Sequence, residues 1–361
     1  MALRRCARRN ACQLGIALAA SNAAAACAGD KGEAVRIVAS DTVAIAGQSA
    51  TSRQVERAVV WDTLLKLPES GGSSDRPIKA RWLGDRLVYY SDASRRLLAI
   101  DTAGHERWSI GPRLPSGDSL RGVEDLRVLA DGRIAALDAR SNRLIVAHPN
   151  GTVAKELRLG NLGRVTDVVQ LEEHRLLVLA PDDSMPFVVI SDSGRMMRRL
   201  PFPSPAYTAV HPLARAGVLG SGTDGRWVFG FRLGNGLVAF QDMLQAGPVA
   251  SYPEPVRFPL VIEESRPGFR SSRLGRITRT ASAITVLGSH SFVLFGGESP
   301  DRGRIIDAYR FPGSTYAYSL QLPAKAVDLF SFKGELLALT SGSHRAVLRM
   351  RGTTLGDVAR R

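Results

Sequence analysis

The hydrophobic positions of this chain fall into short runs separated by turn signals, and the runs come in groups of four. In Gly122–Leu159, GVEDLRVLADGRIAALDARSNRLIVAHPNGTVAKELRL, Asp131-Gly132 divides the first run from the second. Ala139 to Asn142 divides the second from the third, and Pro149-Asn150-Gly151 the third from the fourth. Runs such as Arg133–Leu137 and Leu144–Ala147 are too short for helices and are built on Ile, Leu and Val. Asp-Gly and Asn-Gly supply the positive φ angles that tight hairpins need, so the stretch predicts a four-stranded antiparallel meander.

The unit repeats. One copy starts at Ile78 (IKARWLGDRLVYYSDASRRLLAIDTAGHERWSIG) and another at Arg164 (RVTDVVQLEEHRLLVLAPDDSMPFVVISDSGRMMRRL). Gly104, Gly151 and Gly194 each open the fourth run. Three less regular copies follow. The first has runs at Arg226–Phe231 and Gly236–Phe240; the second has Ser291–Phe295, Ile305–Tyr309 and Tyr316–Leu322; the last has Lys325–Phe332, Glu335–Leu339 and Ala346–Met350. The last copy lacks a fourth strand, while Val59–Leu67 precedes the first copy as a strand without a sheet. Pairing the two closes a ring and protects its edges. The repeat length of roughly forty residues is that of a propeller blade. The expected fold is therefore all-β, a six-bladed β-propeller of four-stranded antiparallel blades over 59–350, closed by an N-terminal strand, with 351–361 as a tail. Seven blades would require Val35–Ala46 and Pro253–Thr285 to hide another unit. In strand and turn pattern the units resemble the NHL/TolB-like superfamily of six-bladed propellers, found in many exported bacterial proteins. The resemblance implies the architecture and no particular activity.

The N-terminus changes the picture of where the protein works. Arg4, Arg5, Arg8 and Arg9 form a positive region, Ala11 to Ala26 a weakly apolar one, and small residues crowd its end. This is the layout of a secretory signal over 1–28, followed by an extension over 29–58. The three cysteines, Cys6, Cys12 and Cys27, all lie in this segment, so the body has no disulfide framework. Cys27 after Ala24-Ala25-Ala26 resembles a bacterial lipobox, although Ala24 stands where that pattern prefers Leu. Plain cleavage ahead of Cys27 or after Ala28 is the alternative. Both imply export, to the periplasm or to a membrane through lipidated Cys27.

Charge narrows the partners. The chain has 361 residues, 48 basic against 34 acidic, for a net charge of +14; the four leader arginines account for four of these. A basic surface favours anionic partners. Nucleic acid is a poor match for an exported chain without a recognition motif. No P-loop, nucleophile elbow or H-E-x-x-H occurs, and a Cys-based zinc site is ruled out for the body.

Two constellations stand out. Asp125, Asp167 and Asp328 hold matching positions in VEDL, VTDV and AVDL. First strands line a propeller's channel, so these carboxylates form a ring that could hold Ca²⁺ or merely accept backbone N–H bonds. Propeller lactonases place a metal on this axis, but their Asn ligand has no counterpart here. Beyond that Ca²⁺ no cofactor is expected. The second constellation is Arg257, Arg266, Arg270, Arg273, Arg276 and Arg279, in an excursion between the fourth and fifth units. Arginine forks suit phosphate or carboxylate groups. Two functions follow: a non-catalytic, monomeric binding propeller for a protein, peptide, anionic glycan or lipid headgroup, or a metal-dependent hydrolase or dehydrogenase with the Asp ring on its axis. Export has a direct check: mass spectrometry of the mature protein should find an N-terminus at lipidated Cys27, or an unmodified one near Cys27–Ala28, and an intact Met1 start would contradict it.

Overall fold

The computed structural model describes residues 34–38, 53–56, 59–67, 77–111, 113–172, 174–222, 225–254, 256–266, 268–342 and 345–351. The signal segment, Cys27 and the tail after 351 lie outside these residues.

Six antiparallel sheets form the ring. Blades 1, 2 and 3 span Pro77–Ile110, Val123–Arg158 and Asp167–Leu200. Blade 4 spans Gly217–Gln245, blade 5 Ala281–Gln321, and blade 6 joins Ala326–Arg351 to Val60–Lys66. The expected closure is present: Val60–Lys66 runs antiparallel to Ala346–Arg351 as the outer strand of blade 6. Trp61 Nε1 donates to the Gln321 carbonyl of blade 5 at 2.9 Å, tying the closing strand to the neighbouring blade. Just before it, Arg53 grips Asp307 of blade 5 through Nε and Nη2 (3.0 and 3.1 Å) and stacks on Phe295. Val55–Glu56 then adds a short parallel strand to the outer edge of blade 5.

The core lies between blades. Each of the six blade interfaces carries its own cluster of buried apolar side chains. Strands of consecutive blades pack face to face, so a residue buried on each face of its strand serves two interfaces. This is why second and third strands such as Ile134–Asp138 and Arg143–Ala147 are buried at every position. The interface of blades 3 and 4 is aromatic: Phe187, Phe202, Tyr207, Phe229 and Phe231 pack on one another, and Phe187 meets Trp227, which stacks on Phe240.

The suspected seventh unit is a different structure. Ala34–Val38 pairs with Val261–Arg266, which pairs with Phe269–Leu274, making a three-stranded sheet outside the ring. No blade intervenes between blades 4 and 5, because their first strands touch. A Cβ on Gly220 of blade 4 would lie 2.5 Å from Ile284 Cγ2 of blade 5 and 2.9 Å from its backbone. Gly220→Ala should therefore cost about 1–3 kcal/mol through overpacking. A urea melt at fixed pH reads that loss, and an unchanged midpoint would contradict the close approach.

Candidate functional site

The six first strands converge on the ring axis, where those of blades 6, 1, 2 and 3 present charge. The Asp125, Asp167 and Asp328 carboxyls are buried there, as the repeat positions implied. Lys79 occupies the matching position of blade 1. Its Nζ lies 3.3 Å from Asp328 Oδ1. Arg81 bridges Asp328 (2.6 Å) and Asp125 (3.4 Å), and Arg127 bridges Asp125 (2.7 Å) and Asp167 (3.3 Å). Each carboxylate also accepts an N–H from the next blade: Ala80 to Asp328 at 3.0 Å, Val168 to Asp125 at 3.4 Å, and Leu219 to Asp167 at 3.0 Å. The ring thus stitches neighbouring blades together. The expected Ca²⁺ ligands are engaged by guanidinium and ammonium groups. Among the described residues no group of three His, Cys, Asp or Glu has the spacing to hold a metal. On the opposite side, between blades 4 and 5, the axis is apolar, with Val218 and Ala283 at the matching positions.

Burial opposes charge on Asp125, but Arg127, a hydrogen bond from Asp167 and Arg81 outweigh it and hold its pKa near 2. Burial and the Asp125 charge push Asp167 the other way, to about 8, although Arg127 opposes this. The two carboxyls share one proton at neutral pH, with Asp167 as donor. Burial likewise opposes charge on Asp328, and Arg81 and Lys79 overcome it, so that its pKa is lowered.

Above this floor the axis opens into a cavity of about 550 Å³. Its wall is shaped by a repeated irregularity. In blades 1, 2, 5 and 6 the first strand skips one residue in its register, between Pro77 and Lys79, Val123 and Asp125, Ala281 and Ala283, and Ala326 and Asp328. A bulge re-aims the extra residue. The four extra residues, Ile78, Glu124, Ser282 and Val327, all line the cavity. Six cations line it as well: Lys79 on the floor, Arg140, Arg232 and Arg302 in segments that follow second strands, and Arg279 and Lys325 just before first strands. Lys79 pairs with Asp328 below, and the acids among the described lining residues are Asp92 and Glu124.

Local backbone geometry fixes the cations. Thr280 N–H donates to the Arg232 carbonyl at 2.7 Å, and Gly296 N–H donates to Thr280 at 2.8 Å, which holds Arg279 beside Arg232. A Cβ on Gly296 would lie 2.5 Å from the Arg279 carbonyl, so only glycine permits this crossing. Gly122 leaves room for the Arg140 stem, whose Cδ and Nε would be 3.1 Å from a Cβ there. Arg279 has its pKa lowered by partial desolvation and by the Arg232 guanidinium, with Glu124 opposing and Arg302 adding to the effect. The guanidiniums are crowded, and Arg232 Nε is buried without a hydrogen-bond partner.

The six arginines of the excursion do not form one face. Only Arg279 reaches the axial cavity. Arg257 and Arg276 line a second cavity of about 470 Å³ with Glu254 and Glu298, and Arg276 lies 3.8 Å from Glu298. Arg266, Arg270 and Arg273 sit on the outer three-stranded sheet, where Arg273 pairs with Glu264 at 3.4 Å. The excursion runs out along a hairpin and back, so residues close in sequence separate in space. The members missed from the sequence, Arg140, Arg232, Arg302 and Lys325, come from different blades and share no short-range spacing. Of the histidines, His290 is buried, with its pKa lowered by desolvation and Arg310, while His148 is exposed at a turn.

No family model matches the chain, and no curated protein sequence is similar to it. Solved structures match the fold. A Bacteroides fragilis protein described only as a candidate exported protein superposes with a TM-score of 0.53 over 83% of this chain and 99% of that one, at 12% identity. A virginiamycin B lyase from Staphylococcus aureus gives 0.50 over 82% and 100%, also at 12%. At this identity the likeness shows the fold and nothing finer; the six blades are those of this chain's own sheets. No helix among the described residues is long and apolar enough to cross a membrane, which is compatible with export.

The axial proton sets a pH dependence. The folded chain keeps a proton on Asp167 up to about pH 8, whereas the unfolded chain releases it near 4. Between these values the folded state binds more protons, so this group's contribution to stability falls as pH rises, by up to about 1.4 kcal/mol per pH unit. Asp125 acts oppositely, contributing stability above about pH 4 that is lost towards pH 2. Asp167→Asn, which mimics the protonated form, should flatten the decline between pH 5 and 8 in urea unfolding. An unaltered slope would contradict the shared proton.

Proposed function

We propose that the protein is an exported, non-catalytic binding propeller, of the NHL/TolB-like kind by its strand and turn pattern, and that its axial mouth captures an anionic ligand. The observation that carries this reading is the convergence of six cations from five blades on one cavity, of which Lys79 alone is paired below with Asp328, while the described lining holds two acids. A cavity of about 550 Å³ suits a small ligand or the end of a larger anionic chain. Like charges repel on a wet surface, and a chain that holds them together with too few counter-charges favours an anion that supplies the rest. Export rests on the N-terminal segment, with Cys27 as the proposed lipid anchor.

The alternative, a metal-dependent hydrolase or dehydrogenase, needs Asp125, Asp167 and Asp328 free to ligate. Each is engaged by Lys79, Arg81 or Arg127 and by a backbone N–H, so a cation would first have to displace buried positive charge. The donor set suits a structural ion-pair network better than a metal.

A ligand that binds only the folded state raises the melting temperature. Tripolyphosphate should raise it for the wild type, and the rise should shrink as salt screens the site. Arg232→Ala and Arg279→Ala should each remove most of the rise, while Arg270→Ala on the outer hairpin should leave it intact. Dependence on Arg270 instead would move the site to the outer sheet.

A further inference from the structure

Of the four residues that bulges aim into the mouth, Glu124 alone is charged. Its Oε2 lies 3.4 Å from Arg232 Nη1, and the contact reaches from blade 2 to blade 4, past the intervening blade. Glu124 also favours the charged form of Arg279, while Arg232 and Arg302 disfavour it. One carboxylate therefore serves two guanidiniums, Arg232 and Arg279, with Arg302 adding further positive charge beside Arg279. It leaves Arg232 Nε buried and unpartnered, and Arg140 and Lys325 add positive charge around the same space.

This arrangement makes a demand on any anion that enters. A ligand with one carboxylate could only exchange places with Glu124, trading one acid for another at little gain. A ligand with further negative groups would replace Glu124 and also answer the charge that Glu124 leaves uncompensated.

We propose that Glu124 is an internal stand-in for the ligand, and that the ligand is a compact oxyanion bearing two or more negative charges, one acidic group of which takes Glu124's place between Arg232 and Arg279. The proposal rests on the reading of the mouth as an anion site. It makes Glu124 a specificity determinant that turns away singly charged anions. The Glu124 side chain is 44% exposed, so its substitution should leave the fold intact.

Isothermal titration calorimetry with pyrophosphate and with acetate, at low salt and without divalent cations, tests this. The wild type should bind pyrophosphate and show no heat with acetate. Glu124→Gln should bind pyrophosphate about tenfold more tightly, equivalent to about 1.4 kcal/mol, and should begin to bind acetate. Glu124→Ala should behave alike, and equal thermal melts of the unliganded variants would show that folding is preserved. If pyrophosphate binds the wild type and is lost in Arg279→Ala, but Glu124→Gln leaves its affinity unchanged or weaker, the stand-in role is overturned while the anion site survives. If pyrophosphate binds neither the wild type nor Glu124→Gln, both readings fail.

Discussion

Six inner strands must meet around one axis, and the way their charges are answered there governs the rest of the molecule. Buried ions are costly unless paired and hydrogen-bonded. Here Lys79, Arg81 and Arg127 alternate with Asp328, Asp125 and Asp167, and each carboxylate also takes an N–H from the following blade. The network therefore fixes the spacing and register of the first strands of blades 6, 1, 2, 3 and 4. Removing one partner would strand a buried charge, which is far more damaging than never having placed it there. The remaining arc runs through blade 5, and its junction with blade 4 closes by a different device: Gly220 lets the backbone of Ile284 approach directly.

The mouth is a consequence of this floor. With the inner strands pinned, bulges at the same place in four blades turn Ile78, Glu124, Ser282 and Val327 inward. The connections above them bring Arg140, Arg232, Arg279 and Arg302 to the rim. Lys79 belongs to both layers, pairing with Asp328 below and lining the cavity above. A rigid ring carrying its binding groups on connecting segments is how many scaffolds separate stability from recognition.

The regular blades were legible because each local signal agreed with the global arrangement. Gly132 and Gly151 adopt the positive φ that Asp-Gly and Asn-Gly turns foretell, and Val59–Leu67 found its expected partner. The Asp ring could be placed because repetition maps sequence position onto the axis. Of the two meanings it offered, the carboxylates do accept backbone N–H bonds, but their cationic partners went unread, although they stand in the same repeats. Lys79 stands where Asp125 stands in the next unit, and Arg81 and Arg127 each follow two residues later. Of the rim, only Arg279 was legible. Arg140, Arg232, Arg302 and Lys325 meet only through closure of the ring, and the arginines that look clustered in sequence, from Arg257 to Arg279, are dispersed by the hairpin at Phe269.

The central claim is that the axial mouth is an anion site, and locating a bound anion tests it most directly. Crystals soaked in tungstate, an electron-dense oxyanion, would mark the place by anomalous diffraction. The account predicts the strongest peak inside the axial cavity, within hydrogen-bonding reach of Arg232 and Arg279. A peak confined to the outer sheet near Arg270 and Arg273, or an axial cavity left empty while tungstate binds elsewhere, would contradict it.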